Sequence, residues 1–135
     1  MRYARDSFLG RAQAGDADYA LEHVAWDPIA RIEVSRVPAP DPETSAWPSL
    51  FGTDRELLSR FRRVVTQNNN AFTYAPEYHG DPATLRGLGE TVYAAAYPAS
   101  LVPRPRVLVV GVGGGMDVLT ALRLVLLPLF LTLLV

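Results

Sequence analysis

The chain has 135 residues, of which 49% are apolar and 20% are charged, and its formal net charge at pH 7 is -1. This length is enough for one domain with a hydrophobic core, and the composition is typical of a globular protein. The near-neutral charge, without a dense cluster of lysine and arginine, argues against a nucleic-acid partner. Because there is no cysteine, disulfides, cysteine-ligated zinc, iron–sulfur clusters and a thiol nucleophile are excluded.

Composition divides the chain into three parts. Residues 1–20 are polar and lack the apolar core of a secretory signal, so we expect a cytoplasmic protein. Residues 21–102 carry frequent charges of both signs and are expected to form a mixed, β-rich region. Residues 103–135 are expected to hold a strand, a turn, a helix and an apolar tail. The two histidines, His23 and His79, have no metal-ligand spacing, so no metal site is predicted.

The first clear periodicity lies in residues 29–35. Ile32 and Val34 share one face of this segment, which has the period-two pattern of a half-buried strand. The opposite face carries the polar residues Arg31, Glu33 and Ser35. Residues 38–48 follow with four prolines and are predicted to form a loop.

A short amphipathic helix is predicted after this loop. Thr53 or Asp54 can cap its start, and Glu56 lies three places after Thr53, as in a capping box. The basic run at residues 60–63 is interpreted as a solvated face of the same helix. The apolar positions that define the helix are Leu57, Leu58, Phe61, Val64 and Val65.

Turn signals then alternate with short elements as far as residue 97. The three asparagines at 68–70 predict a turn, and residues 71–74 predict a brief strand. The sequence His-Gly-Asp-Pro at 79–82 predicts another turn. The alanine-rich residues 88–97 predict an amphipathic helix.

A glycine cluster follows an apolar run near the end of the chain. Val107–Val110 is a continuous β-branched-rich run, which suits a parallel strand buried on both faces. Gly111–Gly115 follows at once, and Asp117 lies where a helix could begin. Glycine permits positive φ in a sharp turn and lets the backbone approach a ligand without a Cβ between them. The sequence therefore predicts the strand, turn and helix of a nucleotide-binding loop.

The spacing of the glycines discriminates among ligands. The dinucleotide pattern Gly-x-Gly-x-x-Gly fails because Met116 stands at the third glycine position. The Walker pattern fails because no lysine lies near the loop. The spacing that remains, Gly111, Gly113 and Gly115, is associated with ligands of the S-adenosylmethionine type in doubly wound folds. A tight turn without any ligand is the alternative.

Several segments together resemble a known family. The sequence PRPRVLVVGVGGGMDVLTAL is similar to the first motif of the spermidine synthase-like, or polyamine aminopropyltransferase, family. This family lies within the class I S-adenosylmethionine-dependent methyltransferase fold. Upstream, AWDPIARIEV resembles the N-terminal strand region of the family, and QNNNAFTYAPEY with GETVYAAAYP resembles the approach to the cofactor strand. The resemblance covers residues 21–122.

The resemblance implies a fold, a cofactor and a reaction. The fold is α/β, with a β-rich N-terminal segment followed by the first strand–turn–helix of a Rossmann-like methyltransferase fold, which is incomplete here. The cofactor is S-adenosylmethionine or its decarboxylated form, and the substrate an amine. Full-length relatives are expected to transfer an aminopropyl or methyl group by attack on a carbon next to the sulfonium, without a metal. The resemblance assigns cofactor contacts to Gly111, Gly113, Gly114, Gly115 and Asp117.

The same resemblance nominates two substrate-binding residues, Glu90 and Tyr93. The family has an Asp-Glu-x-x-Tyr-His-Glu stretch that helps to hold the polyamine. Here Gly89, Ala94 and Ala95 replace its Asp, its His and its second Glu. A polyamine needs carboxylates for charge-assisted hydrogen bonds, so these replacements weigh against aminopropyl transfer. Packing on the core is the alternative role for Tyr93, and simple solvation is the alternative for Glu90.

The end of the sequence omits parts that such a site requires. In related nucleotide-binding folds an acidic residue holds the ribose about twenty residues past the glycines. No Asp or Glu follows Asp117 in this chain, and we assign no catalytic residue. We therefore expect a truncated or frame-altered product that is inactive alone and binds the cofactor weakly or not at all.

Two other functions stay open. Residues 124–135 are apolar except for Thr132, and as a helix they would span about 18 Å against a bilayer core of about 30 Å. The main alternative is a non-enzymatic interaction module that associates through the β-rich N-terminal part and is anchored to a membrane by this tail. A homo-oligomer is a separate option for the partner. The second is a piece of a dinucleotide-binding oxidoreductase, which Met116 and the missing ribose carboxylate disfavour.

Overall fold

Four antiparallel strands and several short helices make up the fold. The computed structural model describes residues 10–11, 14–41, 43, 48–68, 71–97 and 106–126. The strands are β1 (Ala20–Trp26), β2 (Arg31–Arg36), β3 (Arg63–Gln67) and β4 (Ala71–Ala75), and each pairs with the next in the order β1-β2-β3-β4. The helices are α1 (Pro48–Phe51), α2 (Arg55–Ser59), 3-10 helices at Pro82–Glu90 and Val92–Ala96, and α3 (Met116–Ala121), which continues as a π-helix over Leu122–Leu126.

This architecture confirms a mixed α/β fold with a β-rich first part. Every strand pair within the described ranges is antiparallel, so the parallel sheet of a Rossmann-like fold stays a prediction. Most of two predicted segments lies outside the described residues: residues 1–9 of the polar segment 1–20, and residues 127–135 of the apolar tail 124–135. The boundary predicted at residue 103 also lies outside them.

The hairpin between β1 and β2 is closed by an aspartate. The carboxylate of Asp27 accepts hydrogen bonds from the backbone N–H of Ile29 at 2.6 Å and of Ala30 at 2.7 Å. The Asp27 N–H donates to the carbonyl of Ala30 at 3.0 Å, which continues the strand ladder into the turn. This geometry sets the register, in which Val24 pairs with Glu33, and the strand predicted over residues 29–35 is confirmed as β2.

The polar face of β2 is the more deeply buried one. Glu33 and Ser35 each retain only 2% of their surface, whereas Ile32 and Val34 are half-buried. Burial of a carboxylate is costly unless it is paired and hydrogen-bonded. Here a guanidinium nitrogen of Arg31 lies 2.5 Å from Glu33 Oε1, and a hydroxyl on β3 donates to Oε2. The period-two pattern is therefore correct, although it does not reveal that the polar face turns inward.

Helix α2 is shorter than the sequence predicts. The carboxylate of Asp54 accepts the backbone N–H of Leu57 at 2.8 Å, so the predicted cap is confirmed at Asp54. The helix ends at Ser59, and the expectation that it runs on through Val65 is wrong. The consecutive β-branched residues Val64–Thr66 favour an extended strand, and β3 gains hydrogen-bonded partners on both sides.

The basic run at residues 60–63 is consequently not a helix face. Arg63 lies on β3, where its Nε is 2.7 Å from Glu22 Oε2 and its Nη1 is 2.7 Å from Glu77 Oε1. The hydrogen bond that Arg63 donates to Glu22, together with the charges of both carboxylates, raises the pKa of the Arg63 guanidinium. Phe61, between the arginines, is completely buried.

The predicted turn at residue 68 and the predicted strand after it are confirmed. Asn68 adopts a φ of 52°, and its side-chain oxygen accepts the backbone N–H of Arg31 at 2.8 Å. The helix predicted over residues 88–97 is instead two 3-10 helices that meet at Thr91. The buried Thr91 hydroxyl donates to the carbonyl of Leu88 at 2.8 Å, which satisfies a helix-end acceptor at the break.

The hydrophobic core joins the helices to one end of the sheet. Its aromatic centre is formed by Phe51 and Phe61, whose ring centroids are 5.0 Å apart, with the Tyr74 ring 5.5 and 5.6 Å from them. Met116 at the start of α3 packs into the same cluster, so the last described helix shares the core. The buried members are Phe51, Leu57, Leu58, Phe61, Leu85, Leu88 and Met116.

We expect Asp54→Ala to reduce the free energy of unfolding by about 1 kcal/mol, because the N–H of Leu57 loses its capping acceptor. Thr53→Ala is the matched control and should change stability by only a few tenths of that amount, because Thr53 is not the cap. Urea unfolding of both variants measures the difference. Equal losses would show that Asp54 does not act as the cap.

Candidate functional site: a glycine loop beside strand β4

The apolar run ahead of the glycines does not form the predicted strand. Val107–Val110 belongs to no sheet within the described part of the chain. Leu108 and Val110 are each 86% exposed, and Val107 is 40% exposed. A strand needs a partner for its backbone groups, and all four described strands pair only among themselves. The prediction of a buried parallel strand here is therefore wrong for the described fold.

The glycine turn and the helix after it are confirmed. Gly111, Gly113 and Gly115 adopt φ values of 74°, 53° and 89°, which residues with a Cβ rarely adopt. The N–H of Gly115 donates to the carbonyl of Val112 at 2.8 Å and closes the turn. Helix α3 begins at the next residue, and Asp117 lies in its first turn.

Within this loop the inner glycines dock on the sheet. A Cβ placed on Gly114 would overlap the carbonyl oxygen of Tyr74 and lie 3.1 Å from the backbone nitrogen of Ala75. A Cβ on Gly113 would lie 3.4 Å from Cγ2 of Thr73. Gly114 does not need a positive φ, so its requirement is the close approach of two backbones. The sequence had suggested a ligand contact for Gly114, but the described structure gives it a packing role.

The outer glycines, in contrast, face open space. A Cβ on Gly111 or Gly115 would meet no heavy atom within 4 Å beyond the chain neighbours. Both residues are held at positive φ, so the backbone beside them is sterically uncovered. The loop is thus packed against β4 at Gly114 and exposed at Gly111, while Gly115 is half-buried and its N–H and C=O are both hydrogen-bonded within the chain.

Tyr93 and Asp117 come together beside this loop. Tyr93 lies on the second 3-10 helix, is half-buried, and packs against the hydrophobic core. Burial raises the pKa of the Tyr93 hydroxyl, and the nearby charge of Asp117 raises it further. Helix α3 contacts the second 3-10 helix, so Asp117 and Tyr93 lie on neighbouring elements, and the core-packing role of Tyr93 holds as well.

Glu90 lies apart from this pair. It is exposed, and its Cβ is 3.0 Å from where a Cβ on Gly52 would lie, next to helix α1. Its charge is not among the causes of the raised pKa of Tyr93. The simple solvation considered for Glu90 agrees with this position.

Sequence reasoning missed the contribution of strand β4. Thr73 and Tyr74 support the glycine loop, and Tyr74 also reaches the core, where burial raises the pKa of its hydroxyl. Neither residue belongs to a recognisable motif, because the contact joins segments about forty residues apart. The sequence signal for this contact was the run of three consecutive glycines at 113–115, because a turn alone does not need three glycines in a row.

Two other kinds of site, a metal centre and a membrane-spanning helix, are not found in the described residues. Within the described ranges, no three His, Asp or Glu side chains are grouped so as to hold a metal ion. No helix in that part of the chain has both the length and the apolarity for crossing a bilayer. The region of the suggested tail anchor beyond residue 126 lies outside the described residues.

Comparison with known proteins yields no family model that matches the chain and no significant match among curated proteins or solved structures. The likeness to the spermidine synthase-like family accordingly depends on the motifs in the sequence and stays a prediction.

Gly114→Ala should destabilise the fold by about 3 kcal/mol or more, since the new methyl group would force the loop away from the Tyr74 carbonyl. Gly111→Ala is the matched variant and should lose only about 1 kcal/mol, because it suffers the positive-φ penalty without a clash. Denaturant unfolding of the two variants compares these losses. A larger loss for Gly111→Ala would contradict the docked position of Gly114.

Tyr93 should titrate above the ordinary tyrosine range near pH 10, as judged by tyrosinate absorbance compared with a Tyr93→Phe variant. Asp117→Asn should lower the pKa of Tyr93, because it removes the second cause of the shift, whereas Glu90→Gln should not. Since the folded-state pKa exceeds the unfolded one, Tyr93 contributes stability below about pH 10 that is lost as pH rises through the folded pKa. An unchanged pKa of Tyr93 in Asp117→Asn would show that the charge of Asp117 does not act on Tyr93.

Proposed function

We propose that the loop Gly111–Gly115 is the nucleoside-binding turn of an S-adenosylmethionine-type transferase resembling the spermidine synthase-like family. The observation that carries this proposal is the combination of three positive-φ glycines spaced one apart with a helix that begins at the next residue and carries Asp117 in its first turn. The open space beside the exposed Gly111 gives a flat ligand room to approach the chain. Full-length relatives would use such a loop to hold the cofactor during aminopropyl or methyl transfer.

The chemistry of the Asp117–Tyr93 pair suits a cationic, hydroxylated ligand. The Asp117 carboxylate can accept hydrogen bonds from ribose hydroxyls or an ammonium group, and its charge attracts a sulfonium. The Tyr93 hydroxyl is protonated at neutral pH, as tyrosine ordinarily is, so it can donate as well as accept. These two groups and the open glycine backbone are the polar features that we assign to cofactor binding.

This set of groups supports weak binding. One carboxylate, one phenol and an exposed loop cannot enclose the ligand as a deep pocket does. We expect a dissociation constant of about 1 mM, which corresponds to about 4 kcal/mol of binding free energy. We assign no catalytic residue, and we expect no turnover from this chain alone.

The test is a titration of the isotope-labelled chain with S-adenosylmethionine, followed by NMR. Shifts that saturate in the millimolar range and are confined to residues 92–97 and 111–118 would support the proposal. S-adenosylhomocysteine, which lacks the sulfonium charge, should bind more weakly if the Asp117 carboxylate faces the sulfur. An absence of saturable shifts in the loop, or micromolar affinity centred elsewhere, would overturn the proposed site.

Matched variants sharpen this test. Asp117→Asn should weaken binding about fivefold, because a charge-assisted contact of about 1 kcal/mol is removed. Glu90→Gln also removes one negative charge, but at a position away from the pair, and should leave the affinity unchanged. Equal losses in both variants would indicate a nonspecific attraction of the cation to the acidic chain.

A further inference from the structure

The tip of the hairpin between β1 and β2, residues 26–30, exposes large apolar side chains. Ile29 is 86% exposed and Trp26 is 75% exposed, and Pro28 between them is exposed as well. Tryptophan is on average a largely buried residue, so its exposure beside a second large apolar side chain is informative. The sequence on both sides of this tip, from residue 14 to residue 41, lies within the described residues.

Every backbone N–H of residues 27–30 is already hydrogen-bonded inside the turn. The N–H groups of Ile29 and Ala30 donate to the Asp27 carboxylate, and the N–H of Asp27 donates to the carbonyl of Ala30. Pro28 has no N–H to satisfy. An unsatisfied backbone donor is one of the main costs of moving a segment out of water, and this tip does not carry that cost.

The tip is also held in one conformation. The side-chain oxygen of Asn68 accepts the N–H of Arg31 at 2.8 Å, and the N–H of Asn68 donates to the carbonyl of Arg31 at 2.8 Å. The guanidinium carbon of Arg31 lies 5.6 Å from the centroid of the Trp26 ring, a cation–π contact that restrains the indole. Because the turn is preorganised, binding through it costs little conformational entropy.

We propose that this hairpin tip, defined by Trp26, Pro28 and Ile29, inserts into the interfacial region of a lipid bilayer. Tryptophan suits that region, because its ring is apolar and its indole N–H can still bond to water or headgroups. A protein partner fits less well, since a stable protein interface needs about 800 Å² and 20–30 residues on each side. A turn that presents three side chains offers much less.

The charges at the tip select the kind of bilayer. Asp27 is the one charged residue between Glu22 and Arg31, and Arg31 is paired with Glu33. The tip therefore offers no free cation to the phosphates of anionic lipids. We expect binding to zwitterionic phosphatidylcholine vesicles that salt does not weaken, because apolar contact rather than charge drives it.

The fluorescence of Trp26 tests insertion directly. The sequence holds a second tryptophan, Trp47, so a Trp47→Phe variant leaves Trp26 as the sole indole. On addition of phosphatidylcholine vesicles, its emission should move to shorter wavelength and be quenched by brominated acyl chains. An emission maximum that vesicles leave unchanged would overturn the proposal in favour of a protein partner.

Flotation of the full chain with the same vesicles gives a second measurement, in which both tryptophans are kept. Ile29→Ser should weaken the partitioning about tenfold, because a large apolar side chain is removed from the contact. Val110→Ser is the matched control, since Val110 is also 86% exposed but lies in another part of the chain, and it should bind as before.

Equal losses in the two serine variants, or no loss in Ile29→Ser, would show that the hairpin tip is not the binding site. Stronger flotation with vesicles that contain phosphatidylserine would indicate attraction by charge and contradict insertion of an apolar tip. None of these measurements involves a cofactor, so their outcome is independent of the proposed nucleoside site.

Discussion

The close approach of Gly114 to the backbone of Tyr74 determines where the last described stretch, residues 106–126, lies. With no Cβ at this position, the glycine loop can rest directly on strand β4. That contact fixes the start of α3, places Met116 in the hydrophobic core and positions Asp117 near Tyr93. A side chain at position 114 would therefore disturb the core and the candidate site together.

The contact between Gly114 and Tyr74 also bears on the exposure of residues 107–110, which precede the loop. Strand β4 is an outer strand of the sheet, and the chain reaches it with glycines rather than with the β-branched residues 107–110. Loops that pack on an outer strand protect it from unwanted pairing, but here the protecting segment is adjacent to a run with strong strand propensity. Within the described residues, β4 therefore contacts the glycine loop and not residues 107–110.

Local signals made some elements predictable. The Asp54 cap, strand β2 and the turn at Gly111–Gly115 follow from residues adjacent in sequence, because capping, alternation and positive φ are properties of short segments. The end of α2 was not predictable in this way. Val64 and Val65 fit the helical period, but their pairing with β2 and β4 overrides it.

Non-local contacts account for the rest of what was missed. Which face of β2 turns inward depends on Arg31 and on a hydroxyl from β3, and the alternation of apolar and polar residues cannot show either partner. The site shows the same limit, because the glycines and Asp117 were recognisable as a motif whereas the support from Tyr74 was not. Glu90 and Tyr93 were nominated together from one stretch, yet a 3-10 break at Thr91 lies between them, and Tyr93 alone joins Asp117.

Tyr93 is affected both by the hydrophobic core and by the charge of Asp117. Its ring packs against the core, and this burial is the larger cause of its raised pKa, while the Asp117 carboxylate is the smaller one. A residue that served the core alone could be replaced by phenylalanine without consequence for the charge beside it. The 3-10 helix that carries Tyr93 also contacts α3, so the core and the first turn of α3 are linked through this short helix. The glycine loop, the 3-10 helices and the core therefore all depend on where α3 begins.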